Sequence, residues 1–244
     1  MYSVETINLT KKFKNKVAVN NVNLKIKDGE LFALLGTNGA GKTTTIKMLS
    51  TLTIPTSGNI NILGMDIRKD MQKIKRLLNI SPQETAIAKN LTVKENLLFI
   101  AGVYEIEDKY KKVDELIKQF RLEEVLNQRA GTLSGGWQRK LSLAMALVND
   151  PKILFLDEPT LGLDVISRKE LWDIIKSKKG NMTIILTTHY MEEAEKLSDR
   201  IGIMSNGVLK RVGTASQLKS MEKVETFEEA FIKIATDEVL YENN

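Results

Sequence analysis

Eight residues near the start of the chain have the types and the spacing needed to bind phosphate. They read Gly36-Thr37-Asn38-Gly39-Ala40-Gly41-Lys42-Thr43, followed by Thr44, and fit the pattern G-x-x-x-x-G-K-[ST]. The glycines let the backbone curl so that successive N–H groups point inward, and the helix that follows adds the positive end of its dipole. We expect Lys42 to reach the β- and γ-phosphates of a nucleotide and the Thr43 hydroxyl to bind Mg²⁺. The alternative is a glycine turn beside an exposed lysine. It is disfavoured because a predicted strand precedes the loop and a predicted helix follows it.

Two adjacent acids follow an apolar run later in the chain. Residues 153–156 predict a buried strand, and Asp157 and Glu158 come directly after it. Because ligands bind at the carboxyl ends of parallel strands, both carboxylates would reach the phosphate site. Asp157 is then expected to hold Mg²⁺ through water, and Glu158 to orient and polarise an attacking water as a general base. Taken alone, the two acids could also be a strand end with two solvated carboxylates.

A second glycine-rich segment and a single histidine complete the candidate residues. Ser134-Gly135-Gly136 precedes a predicted helix and forms a second group of backbone N–H donors suited to phosphate. His189, the only histidine of the chain, follows a predicted strand. In isolation, a Ser-Gly-Gly segment is usually a helix cap and a lone histidine is usually structural. With one histidine and no cysteine, the chain can form neither a disulfide nor a thiolate or histidine-rich metal site.

Alternating strands and helices are predicted to position these residues. Val22, Leu24 and Ile26 alternate as in an antiparallel strand, and Asn206-Gly207 predicts a hairpin between two short strands. The whole order predicts an α/β fold with an antiparallel start and a helical insertion. Strands are predicted at 31–35, 59–63, 77–80, 153–156 and 183–188; helices are predicted at 43–52, 165–176, 190–197 and 226–235, with a helical and charged pattern from 91 to 148.

The composition is that of an ordinary globular domain. The 244 residues include 36 Lys and Arg against 31 Asp and Glu, a net charge of +5, and 42% are hydrophobic, which excludes a disordered or collagen-like chain. No apolar run approaches the roughly 18 residues of a membrane span, and residues 1–15 lack the apolar block of a signal peptide. We therefore expect a cytosolic chain whose membrane role, if any, is exercised through a partner. The small positive charge does not indicate nucleic-acid binding.

Taken in order along the chain, these motifs resemble those of the nucleotide-binding subunits of ATP-binding cassette (ABC) ATPases, whose signature begins Leu-Ser-Gly-Gly. The resemblance spans about residues 2–235. It implies that Phe13 stacks on adenine and that Gln83 senses Mg²⁺ and couples to a transport partner. It also implies that Asp164 communicates across a dimer and that His189 contacts the γ-phosphate. Two positions depart from the family pattern: Trp137 stands where glutamine is common, and Phe13 replaces the more usual tyrosine but keeps a ring face for stacking.

The resemblance implies a fold and a set of functional residues. The fold is a P-loop NTPase (RecA-like) α/β core with an N-terminal antiparallel β subdomain and an inserted α-helical subdomain. The expected division is 1–220 for the ABC ATPase domain, with the helical subdomain at about 85–148, and 221–244 for a C-terminal helix and tail. ATP and Mg²⁺ are the expected cofactors. The expected catalytic residues are Glu158, His189 and Lys42; the metal-binding residues are Thr43, Gln83 and Asp157; and the nucleotide-binding residues are Phe13, Gly36, Thr37, Asn38, Gly39, Ala40, Gly41, Lys42, Thr43, Thr44, Gln83, Ser134, Gly135, Gly136 and Asp164.

The implied activity is Mg-dependent ATP hydrolysis that powers a membrane exporter. Two copies would form a head-to-tail dimer, with ATP between the phosphate loop of one and residues 134–136 of the other, acting on a separate transmembrane permease. The chain would lie in the cytoplasm, held at the inner face of the cell membrane by that permease, and no nucleic-acid partner is expected. Segments 162–172 and 188–195 resemble the branch that exports drugs, antibiotics, lipids, polysaccharides or sodium. The open alternatives are an importer subunit, a soluble ABC-type ATPase acting on ribosomes or DNA, and a regulatory ATP-binding module without hydrolysis.

Overall fold

The computed structural model of the chain describes residues 1–236, and the predicted tail after residue 236 lies outside the described residues. Within residues 1–236 the chain forms ten strands and nine α-helices. The strands are β1 (Tyr2–Phe13), β2 (Lys16–Lys27), β3 (Leu31–Gly36), β4 (Ser57–Ile62), β5 (Met65–Asp66), β6 (Leu78–Ser81), β7 (Ile153–Asp157), β8 (Thr183–Thr188), β9 (Arg200–Ser205) and β10 (Val208–Gly213). The helices are α1 (Lys42–Leu49), α2 (Met71–Leu77), α3 (Val93–Val103), α4 (Lys109–Phe120), α5 (Gly135–Ala146), α6 (Val165–Ser177), α7 (Met191–Leu197), α8 (Ala215–Glu222) and α9 (Phe227–Thr236).

A six-stranded sheet forms the centre of the molecule, in the order β10-β9-β3-β8-β7-β6. All neighbouring strands run parallel except β10, which pairs antiparallel with β9. Strand β8 lies between β3 and β7, and its register places Thr188 opposite Leu35 and Thr187 opposite Asp157. The carboxyl ends of β3, β7 and β8 therefore meet at one edge. This edge brings together the phosphate loop, the two acids and the histidine.

The core lies on both faces of this sheet. Along β3, Leu31, Ala33 and Leu35 pack into one cluster, and Phe32 and Leu34 pack into the other, as the two-residue period of a strand requires. All six residues of β3 are buried. Burial of each large apolar side chain contributes roughly 1.5–3 kcal/mol, so the strand that ends in the phosphate loop is held from both sides.

A second, antiparallel sheet has the strand order β2-β1-β4-β5. Val22, Leu24 and Ile26 of β2 are buried against the same cluster as Phe32 and the α1 residue Ile46. The alternating pattern predicted at the start of the chain is thus the inward face of this sheet. The sheet carries Phe13 at the end of β1, close to the phosphate loop.

Helices α3, α4 and α5 pack together on the other face of the central sheet. Helix α3 begins with a capping box in which the Thr92 hydroxyl accepts from the Glu95 N–H and the Glu95 carboxylate accepts from the Thr92 N–H. Helix α4 buries Val113, Leu116 and Phe120 and turns its charged side chains outward. None of the helices formed by residues 1–236 combines the length and the apolar character needed to cross a membrane.

The fold class expected from the sequence is confirmed, with local differences. Helix α1 ends at Leu49 rather than near residue 52, because Thr51 adopts a left-handed backbone with φ +67°. Helices α2 and α8 have no counterpart in the sequence-based prediction. Each fully buries a single apolar side chain within the helix, Ile74 in α2 and Leu218 in α8. The two helices have 7 and 8 residues, fewer than the roughly 11–18 over which helical periodicity is recognised in a sequence.

Candidate active site

The phosphate loop turns sharply between β3 and α1. Gly41 has φ +101°, and a Cβ on it would lie 2.5 Å from the carbonyl oxygen of Ala18, so only glycine fits there. Lys42 is buried, and its Nζ donates to the carbonyl oxygens of Gly36 at 2.7 Å and Thr37 at 3.2 Å. The lysine therefore lies inside the curl of the loop with its charge beside the backbone that would surround a phosphate.

Asp157 lies at the end of β7 and is joined to the phosphate loop through a hydroxyl. Oδ1 of Asp157 accepts from Oγ1 of Thr43 at 3.0 Å and from Oγ1 of Thr187 at 2.6 Å. Hydroxyl and carboxylate oxygens are the hard ligands that Mg²⁺ takes, together with water and phosphate oxygens. Among residues 1–236 no group of three or more His, Asp or Glu side chains could hold a metal by itself. The donor set thus fits Mg²⁺ that is shared with a nucleotide.

Glu158 occupies a strained and central position. Its φ is +49°, a left-handed conformation that costs a side chain about 1 kcal/mol or more. Its N–H donates to Oγ1 of Thr187 at 3.0 Å, which fixes the main chain. Its carboxylate is buried between two groups: Oε1 is 3.3 Å from Nζ of Lys42, and Oε2 is 2.6 Å from Nδ1 of His189. An ionised carboxylate only accepts hydrogen bonds, so the tautomer of His189 that carries a proton on Nδ1 is the one that pairs with an ionised Glu158.

Lys42, Thr43, Glu158 and His189 line one cleft of about 580 Å³ at the carboxyl edge of the central sheet. Most of the residues predicted to bind a nucleotide are found there. Phe13 is half exposed at the rim, with the Lys11 ammonium 5.0 Å from its ring centroid. The predicted residues that line the cleft are Phe13, Asn38, Gly39, Ala40, Gly41, Lys42, Thr43, Thr44, Gln83, Glu158 and His189; Lys16, Ala18 and Leu161 line it without having been predicted.

Seven predicted residues do not line this cleft: Gly36, Thr37, Asp157, Ser134, Gly135, Gly136 and Asp164. Gly36 and Thr37 belong to the phosphate loop, and Asp157 is hydrogen-bonded to its Thr43. Ser134 and Gly136, at the start of α5, line a different cleft of about 360 Å³, and Gly135 lies between them in sequence. Asp164 caps α6: its Oδ1 accepts from the N–H groups of Ile166 and Ser167, and these hydrogen bonds, led by the one from Ser167, lower its pKa. The structure of one chain therefore separates the Ser-Gly-Gly segment from the phosphate loop.

Three buried polar residues around the site were not predicted from the sequence. Arg139 of α5 donates to the carbonyl oxygens of Gln83 and Glu158. Thr187 joins the two acids, as described above. Glu193 of α7 accepts from Oγ1 of Thr160 at 2.8 Å and from Nε1 of Trp172 at 2.9 Å, and burial raises its pKa. The sequence offered one signal that could have indicated such a residue: a charged side chain on the buried face of a helix. Arg139 is a residue of this kind in α5.

The fold and the site together define the class of protein. A central strand of the parallel sheet runs into a G-x-x-x-x-G-K-[ST] loop, and an acid at the end of a nearby strand lies beside the loop threonine. This is the arrangement of a P-loop NTPase. Residues 19–161, more than half of the chain, match the family model described as ABC transporter. The chain therefore belongs to the ABC transporter family, and it is an ATPase domain of that family, as the sequence predicted.

Similar proteins support the same family. The probable multidrug ABC transporter ATP-binding protein YbhF of Escherichia coli K12 is 40% identical over 243 residues, 96% of this chain and 42% of that protein. The human phospholipid-transporting ATPase ABCA3 is 44% identical over 208 residues, 84% of this chain and 12% of that protein. The chain thus spans less than half the length of these two relatives.

Two solved structures have the same fold. An ATP-binding subunit of an ABC transporter superposes with a TM-score of 0.85 at 28% identity, covering 95% of this chain and 98% of that one. The dimeric cassette MJ0796, in a post-hydrolysis state bound to ADP and Pi, superposes with a TM-score of 0.79 at 28% identity, covering 86% of this chain and 98% of that one. The chain described here covers nearly all of each of these two solved chains.

Proposed function

We propose that the chain binds ATP in the cleft at the phosphate loop and hydrolyses it to ADP and phosphate. The observation that carries this proposal is the Glu158 carboxylate, buried between the Lys42 ammonium and the His189 imidazole. A carboxylate is the general base that phosphoryl transfer to water needs, and a lysine and an imidazole are donors for the charge on the phosphates. The three residues lie at the mouth of one phosphate loop, where the γ-phosphate would be.

Lys42 links ATP binding to activation of the base. Its Nζ is held by the carbonyl oxygens of Gly36 and Thr37 and by Oε1 of Glu158. When phosphate oxygens take up the lysine, Oε1 of Glu158 is released to accept a proton from water. The water oxygen then bonds to the γ-phosphorus, the bond to the ADP oxygen breaks, and the proton moves to Glu158. His189 holds the other carboxylate oxygen and so keeps the base in place.

Thr43 and Asp157 are the residues that would hold Mg²⁺, with Gln83 at the same cleft. Bound there, Mg²⁺ would neutralise charge on the β- and γ-phosphates. Thr187 orients both acids at once, because its hydroxyl donates to Asp157 and accepts from the Glu158 N–H. This shared hydroxyl fixes the spacing between the proposed metal ligand and the proposed base.

The position of the Ser-Gly-Gly segment supports a dimer as the active form. Residues 134–136 offer backbone N–H donors at the start of α5 but do not line the cleft of their own chain. In a head-to-tail pair of identical copies, this segment of one chain would close over the ATP of the other, with Asp164 near the contact. Binding of ATP would then favour the closed pair, and hydrolysis would favour its opening.

The names of two relatives support a transport role. ABCA3 is named a phospholipid-transporting ATPase, and YbhF is named a probable multidrug ABC transporter ATP-binding protein. We propose that the chain supplies the energy for an exporter of this kind. A separate transmembrane permease would hold the chain at the inner face of the membrane and contact the helical subdomain at about 85–148. That subdomain would be inserted into an ATPase domain of residues 1–220, followed by a C-terminal segment, 221–244, that contains helix α9.

Co-purification from membranes tests this role. The chain is tagged in its native cell, membranes are solubilised gently, and stoichiometric partners are identified. A polytopic membrane protein is expected, and the cavity of that partner would be the place to look for the substrate. Recovery only with ribosomes or DNA would contradict the exporter and leave the ATP site untouched.

A further inference from the structure

Arg139 is a buried cation that none of the steps above uses. It lies on α5 and is 5% exposed. Its Nη1 donates to the carbonyl oxygen of Pro82 at 2.7 Å, and its Nη2 donates to the carbonyl oxygens of Gln83 at 2.7 Å and Glu158 at 3.3 Å. One guanidinium group thus ties α5 to two separate segments of the nucleotide cleft, those of Gln83 and Glu158.

The stability of the fold does not by itself explain a charge at this position. Burial lowers the pKa of Arg139, although the neighbouring carboxylates of Asp157 and Glu193 favour its charged form. Replacing a buried ion pair as a whole by apolar side chains of similar volume is often neutral or stabilising, so a buried charge is weak evidence of a purely stabilising role. What only an arginine supplies is a planar fork of donors that reaches three carbonyl oxygens together.

The other end of the same helix explains what these bonds can do. Helix α5 starts at Gly135, directly after Ser134, and Arg139 lies little more than one turn further on. A helix of 12 residues moves as a rigid rod, so a shift of its first turn also shifts the guanidinium. A force exerted on residues 134–136 by a partner's nucleotide would therefore reach Gln83 and Glu158 through Arg139.

We infer that Arg139 is a positioning residue that couples the two ATP sites of the dimer, because it fixes the main chain of Gln83 and Glu158 to the helix that contacts the other copy's ATP. This inference rests on the proposed function. Its consequence is that each site hydrolyses ATP efficiently only when the other holds nucleotide, so the ATPase rate depends cooperatively on ATP concentration.

The variants Arg139→Lys and Arg139→Met test the coupling. A single ammonium cannot reach three carbonyl oxygens, and methionine reaches none. Both variants should bind ATP with an affinity within about twofold of the parent, since Arg139 does not line the cleft. A base displaced by about 1 Å costs roughly 10²-fold in rate, so kcat should fall by about tenfold or more in both variants, with the cooperativity lost. A kcat and a cooperativity equal to those of the parent would overturn the inference.

Ser142→Ala is the matched control on the same helix. Oγ of Ser142 hydrogen-bonds to Oγ of Ser81 at 3.1 Å and so attaches α5 to β6, immediately before Pro82. Loss of this bond should lower the melting temperature but leave kcat and cooperativity as in the parent. If Ser142→Ala reduced kcat as much as Arg139→Lys, the attachment of α5 would matter only structurally, and the specific role of Arg139 would be wrong.

A label near Gln83 gives a readout that does not require hydrolysis. The chain has no cysteine, so Glu84→Cys, at an exposed position, can carry a single environment-sensitive fluorophore. ATP should change the fluorescence in the parent, and Arg139→Lys should reduce that change while ATP still binds. A label that does not respond to bound ATP in the parent would overturn the coupling. A parent that binds ATP, shows the response and does not hydrolyse ATP would contradict the proposed function instead.

Discussion

Replacement of Glu158 by glutamine removes the proposed base with little change of shape. Glutamine keeps the volume and can keep the contact with His189, but it cannot accept a proton from water. Lys42 loses the partner at 3.3 Å and keeps the carbonyl oxygens of Gly36 and Thr37 at 2.7 and 3.2 Å, so no buried charge is left without hydrogen bonds. We therefore expect a loss of about 1 kcal/mol in the free energy of unfolding, a small part of the usual 5–15 kcal/mol.

The expected loss of activity is much larger. A general base contributes roughly 10²–10⁴-fold, which corresponds to about 3–5 kcal/mol of transition-state free energy. ATP affinity should stay equal or increase, because the variant removes a negative charge beside the γ-phosphate. ATP that is bound and not hydrolysed should hold the two copies together, so the variant should form a stable dimer with ATP and not with ADP.

Phosphate release and size-exclusion chromatography measure both effects. Glu192→Gln makes the same change of charge at an exposed ion pair with Lys196 and should keep the parent rate. Thermal unfolding of both variants separates loss of activity from loss of fold. A Glu158→Gln variant that hydrolyses ATP at the parent rate would refute the assignment of Glu158 as the base.

Two more predictions concern the lysine and a buried acid. In a titration with a fluorescent nucleotide, Lys42→Ala should weaken ATP binding by about 10- to 150-fold, which corresponds to the loss of a charge-assisted hydrogen bond of about 1.5–3 kcal/mol. Lys47→Ala, an exposed position on the same helix, should bind ATP like the parent. Unchanged affinity in Lys42→Ala would remove the phosphate-loop assignment. Because burial raises the pKa of Glu193, the folded state holds its proton at a pH where the unfolded chain has lost it, so this group makes the fold less stable as the pH rises from about 4.3 through the raised pKa. In urea unfolding, Glu193→Gln should therefore gain stability relative to the parent with rising pH over that window. Glu192→Gln, whose carboxylate has a pKa lowered by Lys196, should instead lose stability relative to the parent as the pH rises towards about 4.3, and should show no further trend above it. A gain by Glu192→Gln equal to that of Glu193→Gln above this pH would contradict the argument.

The sequence was sufficient for the parts of the site that are local in the chain. The phosphate loop needs glycines, a lysine and a threonine at fixed spacing, since the backbone itself makes the binding surface. The run of apolar residues before Asp157 marks a strand buried on both faces, which the structure contains as β7. Both signals are contained in fewer than ten consecutive residues, and pattern rules work best there.

The residues that were not predicted contact partners that lie far from them in the sequence. Thr187 is 30 residues from Asp157, and Arg139 is 56 residues from Gln83. Their roles depend on which strands are neighbours and on how α5 packs, and a threonine in a strand or an arginine in a helix carries no such information. The role of Glu193 could not be predicted for the same reason, because its partners Thr160 and Trp172 lie on other segments of the chain.

Mixing of two inactive variants tests the central claim, an ATP site shared between two copies. Lys42→Ala disables the phosphate loop, and Ser134→Arg, at an exposed position, blocks the segment that would contact the partner's ATP. Each variant alone should be inactive. In a mixed dimer one site combines both defects, and the other combines an intact loop with an intact Ser-Gly-Gly segment. The mixture should therefore recover measurable activity of at most roughly a quarter of the parent ATPase rate, since random pairing puts half of the chains in mixed dimers with one intact site of two. Coupling to the defective site lowers the rate of the intact site below this limit. An inactive mixture, or full activity of Ser134→Arg alone, would contradict the shared site.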